Sequence, residues 1–492
     1  MQLKPRVVKF LEEVQGLWIN GESVSAQNGA TFDVLNPATE EVIATVAEAN
    51  EQDIDKAVQA ATAAFYEGEW TKMEAATRSH LIYTFADLLE DHREELAQLE
   101  CLDNGKPYQQ ALEDDVDGTI QHFRYYAGWA TKITGQTVNV SPDYLNYITH
   151  EPVGVVGQII PWNFPLAMAA WKLGSALAVG CTVVIKPASE TPLSLLYAAR
   201  LFKEAGFPDG VVNVVPGQGS VAGGALIEHP DVRKVAFTGS TAVGKTVMKQ
   251  AAEQMKSVTL ELGGKSPAIL LADADLDEAI DGALAGTMYN HGQNCSATTR
   301  IFVHRSLYDE VVKRLAEKAK AIKVGDGLFA ETDMGPLVSE KQMNTVLGYI
   351  EKGKAEGARL VAGGHRKYDK GYFVEPTIFA DCTDEMTIVK EEIFGPVMAI
   401  LPFDSEEEVV RRANDSIYGL AASVWTTNVK KAHRITRQLE AGTVWINDFG
   451  LEWETMPFGG YKQSGIGREM GGEYGLANYT EIKSVFVNMK EV

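Results

Sequence analysis

The sequence predicts an α/β protein built on a doubly wound parallel sheet, and three features carry that expectation. Apolar runs of strand length recur from residue 153 onward, segments of helical composition separate them, and the runs are continuously apolar rather than alternating. Strands of that kind are buried on both faces, the pattern of a parallel sheet covered by helices. Such sheets bind ligands at the carboxyl ends of their strands, so chemistry is expected in the turns that follow them.

Taken in order, residues 1–16 mix Lys4, Arg6, Lys9, Glu12 and Glu13 with short apolar stretches and lack the apolar core of a secretory signal. Residues 50–130 read as helical, with amphipathic stretches over 54–65 and 78–103. The alternation then begins: strand 153–160, helix 165–179, strand 182–185, helix 192–205, followed by strand 211–215, helix 219–228, strand 234–237 and helix 242–254. The segment 164–185 carries one charge, Lys172. Pro165, Gly174, Gly180 and the β-branched run at 182–185 make it a buried helix followed by a buried strand rather than a membrane span. A second series of strands and helices runs from 266 to about 443, with helices at 307–323 and 406–415. Residues 482–487 form a lone terminal strand, of the kind that pairs with another sheet or another subunit.

At 492 residues the chain has room for two to four domains, taking roughly 150 residues per domain. It carries 45 Lys and Arg against 67 Asp and Glu, a net charge of −22. That balance repels phosphate backbones and acidic membranes, so neither nucleic acid nor a membrane is an expected partner. Cys101, Cys181, Cys295 and Cys382 are far apart and form no CxxC pair, and no histidines are spaced to share a metal. A soluble cytoplasmic protein without a structural metal is expected.

Four segments concentrate reactive side chains. Pro161-Trp162-Asn163-Phe164-Pro165 places an amide donor in a rigid loop at a strand's end, although Asn163 equally suits a helix cap. Phe237-Thr238-Gly239-Ser240-Thr241-Ala242-Val243-Gly244 is a strand end, a small-residue turn and a helix start, able to meet a phosphate, and Gly217-Gln218-Gly219 precedes another helix. Leu260-Glu261-Leu262-Gly263-Gly264 puts a carboxylate at the end of an apolar strand, where burial suits it to general-base work; the plainer reading is a solvated loop acid. Gly292-Gln293-Asn294-Cys295-Ser296 sets a thiol among small residues. A thiol near a helix N-terminus or a cofactor cation ionises and attacks carbonyls, whereas a lone cysteine elsewhere is an apolar filler. His291, four residues before Cys295, suggests a Cys–His pair that nothing else supports.

In this order and spacing the segments resemble the aldehyde dehydrogenase superfamily. The resemblance spans essentially the whole chain, from Trp18-Ile19-Asn20-Gly21 and Asn36-Pro37-Ala38-Thr39 to Glu391-Glu392-Ile393-Phe394-Gly395-Pro396-Val397 and Pro457-Phe458-Gly459-Gly460-Tyr461-Lys462-Gln463-Ser464-Gly465. It implies a Rossmann-like cofactor domain at 1–132 and 152–262, an α/β catalytic domain at 263–463, a small β oligomerisation flap at 133–151 and 479–492, and a connecting segment at 464–478. It implies a homodimer or homotetramer that oxidises an aldehyde to a carboxylic acid with NAD or NADP. Cys295 is then the nucleophile, forming a thiohemiacetal that becomes a thioester. Asn163 and the Cys295 N–H hold the oxyanion, and Glu261 activates the hydrolytic water. Lys172 and Glu469 match positions linked to proton relay.

By the same matching, the cofactor cleft is formed by Ile159, Trp162, Lys186, Ser189, Gly219, Gly223, Phe237, Gly239, Ser240, Val243, Leu262, Glu392 and Phe394. Phe164, Trp171, Tyr289 and Phe458 wall the substrate funnel, with Trp453 nearby, a lining suited to apolar aldehydes or, through cation–π attraction, to betaine aldehyde. One departure concerns the cofactor. NAD-preferring members often carry a glutamate three residues after the lysine that stands here at 186, whereas this chain has Ser189, with the acid one place later at Glu190. Loss of that carboxylate removes repulsion against a 2′-phosphate, so NADP use is expected to be open, and Glu190 is read as a cap of the next helix. Two alternatives are a coenzyme A-acylating dehydrogenase, which commonly lacks the glutamate found at 261, and a non-catalytic relative of the same fold.

Overall fold

The computed structural model describes residues 1–490; the last two positions of the flap expected at 479–492 lie outside the described residues. Two large sheets organise the chain. The first has eight strands in the order Glu22–Val24, Leu17–Ile19, Val212–Val214, Thr182–Lys186, Val155–Ile159, Val232–Thr238, Ser257–Glu261 and Gly465–Ile466. Its five central strands are mutually parallel, and the outer pairings are antiparallel. The strands Val155–Ile159 and Thr182–Lys186 are buried at every position, which explains their unbroken apolar character. The second sheet runs Arg359–Ala362, Thr377–Ala380, Val397–Phe403, Thr298–His304, Ser266–Leu270, Ala421–Trp425 and Thr443–Ile446, parallel except for its first pair.

Helices cover these sheets as the sequence predicts. Residues 164–185 form the helix Pro165–Val179 and the strand Thr182–Lys186, and no helix among the described residues is long and apolar enough to cross a membrane. The stretch 78–103 is not one helix: Ala75–Asp91 and Arg93–Asn104 meet at His92, whose backbone leaves helical geometry. The His92 ring is hydrogen-bonded to the Tyr197 hydroxyl at 2.9 Å, so a contact with a distant helix overrides local periodicity. The segment 219–228 likewise starts as a π-helical turn, Gly219–Gly223, before its α-helical part. The terminal strand Thr480–Asn488 pairs with Tyr144–Pro152 of its own chain, and Gln136–Thr137 completes a three-stranded antiparallel sheet.

Candidate active site

The reactive segments converge where the two large sheets meet. Asn163, Glu261 and Cys295 all leave strand ends or turns and are brought together from positions far apart in the chain. Asn163 is buried, and one N–H of its amide donates to the Gln293 carbonyl at 3.0 Å. It does not cap the helix Pro165–Val179; the Leu166 N–H that begins this helix is taken instead by the Glu100 carboxylate at 2.8 Å. Three consecutive residues ahead of the cysteine loop, Asn290, His291 and Gly292, have positive φ of 48°, 60° and 71°. This strained turn folds the chain back so that the loop reaches Asn163. An added Cβ on Gly292 would sit 2.1 Å from the Gly395 carbonyl oxygen, so no larger residue fits.

Cys295 is half-buried, whereas the other three cysteines are buried. It follows a 3₁₀ turn and precedes the strand Thr298–His304 rather than starting a helix. With no helix dipole beside it, burial pushes its thiol well above its ordinary range, and the carboxylates of Glu452, Glu392 and Glu261 add to that. His291 is buried with its imidazole held down at about 3 by burial, then by Lys106, and no hydrogen bond joins it to Cys295. A Cys–His pair is absent.

Glu261 ends the strand Ser257–Glu261 and is buried with neither carboxylate oxygen hydrogen-bonded. Burial, and then the negative charge of Glu469, raise its pKa well above the ordinary carboxylate value, while Lys172 works in the opposite sense. It is not a solvated loop acid. Lys172, fully buried, donates to both Glu469 oxygens at 2.8 and 2.9 Å and to the Thr238 hydroxyl at 2.6 Å. Thr238 is in register with Glu261 on the adjacent strand, so the ion pair lies beside the glutamate. Gly459 closes this corner, since a Cβ there would lie 2.9 Å from Glu261 Oε1.

A cavity of about 440 Å³ leads from the surface to Cys295. Phe164, Trp171, Tyr289, Trp453 and Phe458 all line it, Trp453 at the mouth with 61 % of its surface exposed. Sequence reasoning missed its acidic wall: Asp114, Glu452 and Glu454 line it, and among the described residues no lysine or arginine does. Asp114 accepts the Tyr289 hydroxyl at 3.0 Å.

The residues matched to a cofactor site follow the carboxyl ends of strands of the first sheet, with Glu392 and Phe394 beyond it. Ser240 caps the helix Thr241–Ala252 through Val243 N–H at 3.4 Å, and Ser240 and Val243 are exposed, leaving this helix start open. Lys186 donates to the carbonyls of Pro187 (2.7 Å) and Gly217 (3.0 Å), and the Ser189 hydroxyl also donates to Gly217 at 3.3 Å. Burial lowers Lys186 to about 8, with Glu190 acting against it. Glu190 is exposed and caps nothing; Asp103 takes the Leu193 N–H at 3.0 Å instead. Gly223 packs beside Ile159 and Lys186, Gly239 against the Phe237 ring and Gly244 against Leu262, and Gly219 is open. At the other end Glu392 accepts the Gly264 N–H at 3.1 Å, is pushed up by burial to about 7, and lies against Gly263, while Phe394 meets Trp162 edge to face at 5.2 Å. An open helix start, a lysine and a hydroxyl at one end and a carboxylate with aromatic rings at the other suit a dinucleotide.

The sequence model of the aldehyde dehydrogenase family matches residues 24–485. The chain belongs to the aldehyde dehydrogenase family. A protein of Bacillus subtilis named as an aldehyde dehydrogenase is 57% identical over 491 residues, covering 100% of this chain and 99% of its own length. An aldehyde dehydrogenase from Bacillus cereus, solved as its NAD+ complex, is 65% identical, with a TM-score of 0.99 over 100% of both chains. A betaine aldehyde dehydrogenase from Staphylococcus aureus in complex with NAD+ is 42% identical, with a TM-score of 0.97 over 99% of this chain and 98% of its own. This aldehyde dehydrogenase is thus an oxidoreductase converting aldehydes to acids with NAD or NADP, and the coenzyme A-acylating and non-catalytic alternatives are not favoured.

Proposed function

We propose that Cys295 attacks the carbonyl carbon of the aldehyde, that Asn163 and the Cys295 N–H hold the resulting oxyanion, and that Glu261 activates the water that releases the acid. The observation that carries this reading is the cavity ending on Cys295, the one half-buried thiol of the chain. Asn163 has committed one amide N–H to Gln293, and the amide carries a second N–H that would serve the oxyanion. A nicotinamide, when bound, supplies the hydride acceptor that turns the thiohemiacetal into a thioester, and its positive charge favours the thiolate. Glu392, Phe394 and Trp162 would hold that half of the cofactor, the Gly239–Ser240 turn its pyrophosphate, and Lys186 with Ser189 its adenosine ribose.

Glu261 must lose its proton to activate water, and the Lys172–Glu469 pair offers a relay. The strands Val155–Ile159 to Ser257–Glu261 support a cofactor domain at 1–132 and 152–262, the second sheet a catalytic domain at 263–463, and the three-stranded sheet a flap at 133–151 and 479–492, with 464–478 connecting. That small sheet exposes Ile482 (67 %) and Phe486 (72 %) on one side, an apolar patch that a second copy in a homodimer or homotetramer would cover. Four unpaired cysteines and a net charge of −22 fit a reducing cytoplasm. The acidic, aromatic funnel favours a neutral or cationic aldehyde over one carrying a carboxylate.

The test is the appearance of reduced nicotinamide from the purified protein with an aliphatic aldehyde, betaine aldehyde and an aldehyde-acid, with NAD and NADP in parallel. Turnover is expected with the first two and to vanish in Cys295→Ala. Equal turnover in that variant would end the thiol reading, and a strict NAD requirement would end the argument from Ser189.

A further inference from the structure

Lys106 lies behind the oxyanion donor, at a junction that the mechanism above leaves unused. It follows Gly105, whose φ of 92° ends the helix Arg93–Asn104, and its side chain is completely buried. Its Nζ donates to both oxygens of Asp115, at 2.9 and 2.8 Å, and to the backbone carbonyl of Asn163 at 3.2 Å. It also lies 4.4 Å from the centre of the Phe164 ring. The same Asn163 carbonyl receives Asn290 Nδ2 at 2.9 Å and Asn104 Nδ2 at 3.4 Å. Asn290 also donates to the Gln293 carbonyl at 3.1 Å, the acceptor used by the Asn163 amide itself.

One donor would satisfy a buried carbonyl; here three converge on it, from two separate parts of the chain. Asp115 belongs to the π-helical turn Ala111–Val116 and lines the substrate cavity. Such turns break helical regularity and are frequent at functional sites.

We propose that Lys106 is a positioning residue for the oxyanion donor. It locks the backbone of Asn163 and, through Asp115 and Phe164, ties that lock to the funnel wall. The inference rests on the reading of Asn163 as the oxyanion donor. The amide works only where its N–H meets the forming oxyanion, and a misplacement of about 1 Å costs on the order of 100-fold in rate.

Lys106→Met alone would strand the Asp115 carboxylate in the interior and destabilise the fold. Two paired variants avoid this. Lys106→Met with Asp115→Leu replaces the ion pair by apolar side chains and removes the bond to Asn163. Lys106→Gln with Asp115→Asn keeps an amide donor near that carbonyl. Rates are normalised to titrated Cys295. The apolar pair is expected to lose roughly 10- to 100-fold in kcat, with KM for the cofactor unchanged and alkylation of Cys295 by iodoacetamide, which forms no oxyanion, within about twofold of the parent. The amide pair is expected to stay within about threefold of the parent in kcat, and it carries the test if the apolar pair does not fold. Asn163→Ala is expected to cost far less in the apolar pair than in the parent, because both changes remove one function. Parental kcat in the apolar pair, a loss above tenfold in the amide pair, or fully additive losses would overturn the proposal. If Asn163→Ala has no effect in the parent enzyme, the oxyanion reading falls and this inference falls with it.

Discussion

Asn163 and Glu261 are the two groups proposed to serve the chemistry at Cys295, and their surroundings differ in kind. Around Asn163 both the side chain and the backbone carbonyl are held by hydrogen bonds from Lys106, Asn104 and Asn290 and to Gln293. Around Glu261 neither carboxylate oxygen has a partner, and an ion pair lies next to it rather than on it. An oxyanion donor gains by being fixed before the reaction, because preorganised dipoles need no reorganisation as charge develops. A base that must take a proton from water and pass it on gains by being held loosely, and its lack of partners raises the pKa that suits it to that task.

Substitutions on each side sharpen this contrast. Glu261→Gln is expected to have the largest effect, lowering steady-state kcat by about 10² to 10⁴. A rapid first turnover of reduced cofactor should survive, because the thioester still forms and only its hydrolysis is blocked; stopped-flow absorbance reads both phases. Loss of the burst together with kcat would place Glu261 before the thioester. Asn163→Ala comes next, lowering kcat by about 10² to 10³. It should slow the burst itself, so the same stopped-flow trace separates the two sides.

The smallest effect is a displacement of the pH profile. The raised pKa of Glu261 places the acid limb of kcat above the ordinary carboxylate range, with activity lost as pH falls through it. Glu469→Gln removes a negative neighbour and leaves the charge of Lys172 unopposed. Both changes favour ionised Glu261, so the limb is expected to move to lower pH, a displacement read separately from the fall in plateau rate that loss of the relay causes. A shift to higher pH, or none, would mean that the pair does not couple to Glu261.

Much of the fold was legible in the sequence because its determinants are local. The helix Pro165–Val179 begins with proline and ends before a left-handed Gly180, and the buried strands announce themselves as unbroken apolar runs. The segments around Asn163, Glu261 and Cys295 stood out through turn chemistry and reactive side chains set among small residues. The acidic wall of the funnel did not, since Asp114 and Glu452 are more than 300 positions apart and ordinary in their own surroundings.

The sequence by itself determined the alternation of strands and helices, the family pattern and the segments that carry reactive groups, all of which depend on neighbours within a few residues. Only the tertiary structure decided that His92 breaks a helix to reach Tyr197, that Glu100 and Asp103 rather than Asn163 and Glu190 serve the starts of two helices, and that Lys106 lies against a carbonyl 57 residues away. Periodicity and turn preference act along the chain, whereas a buried charge settles wherever folding brings it a partner.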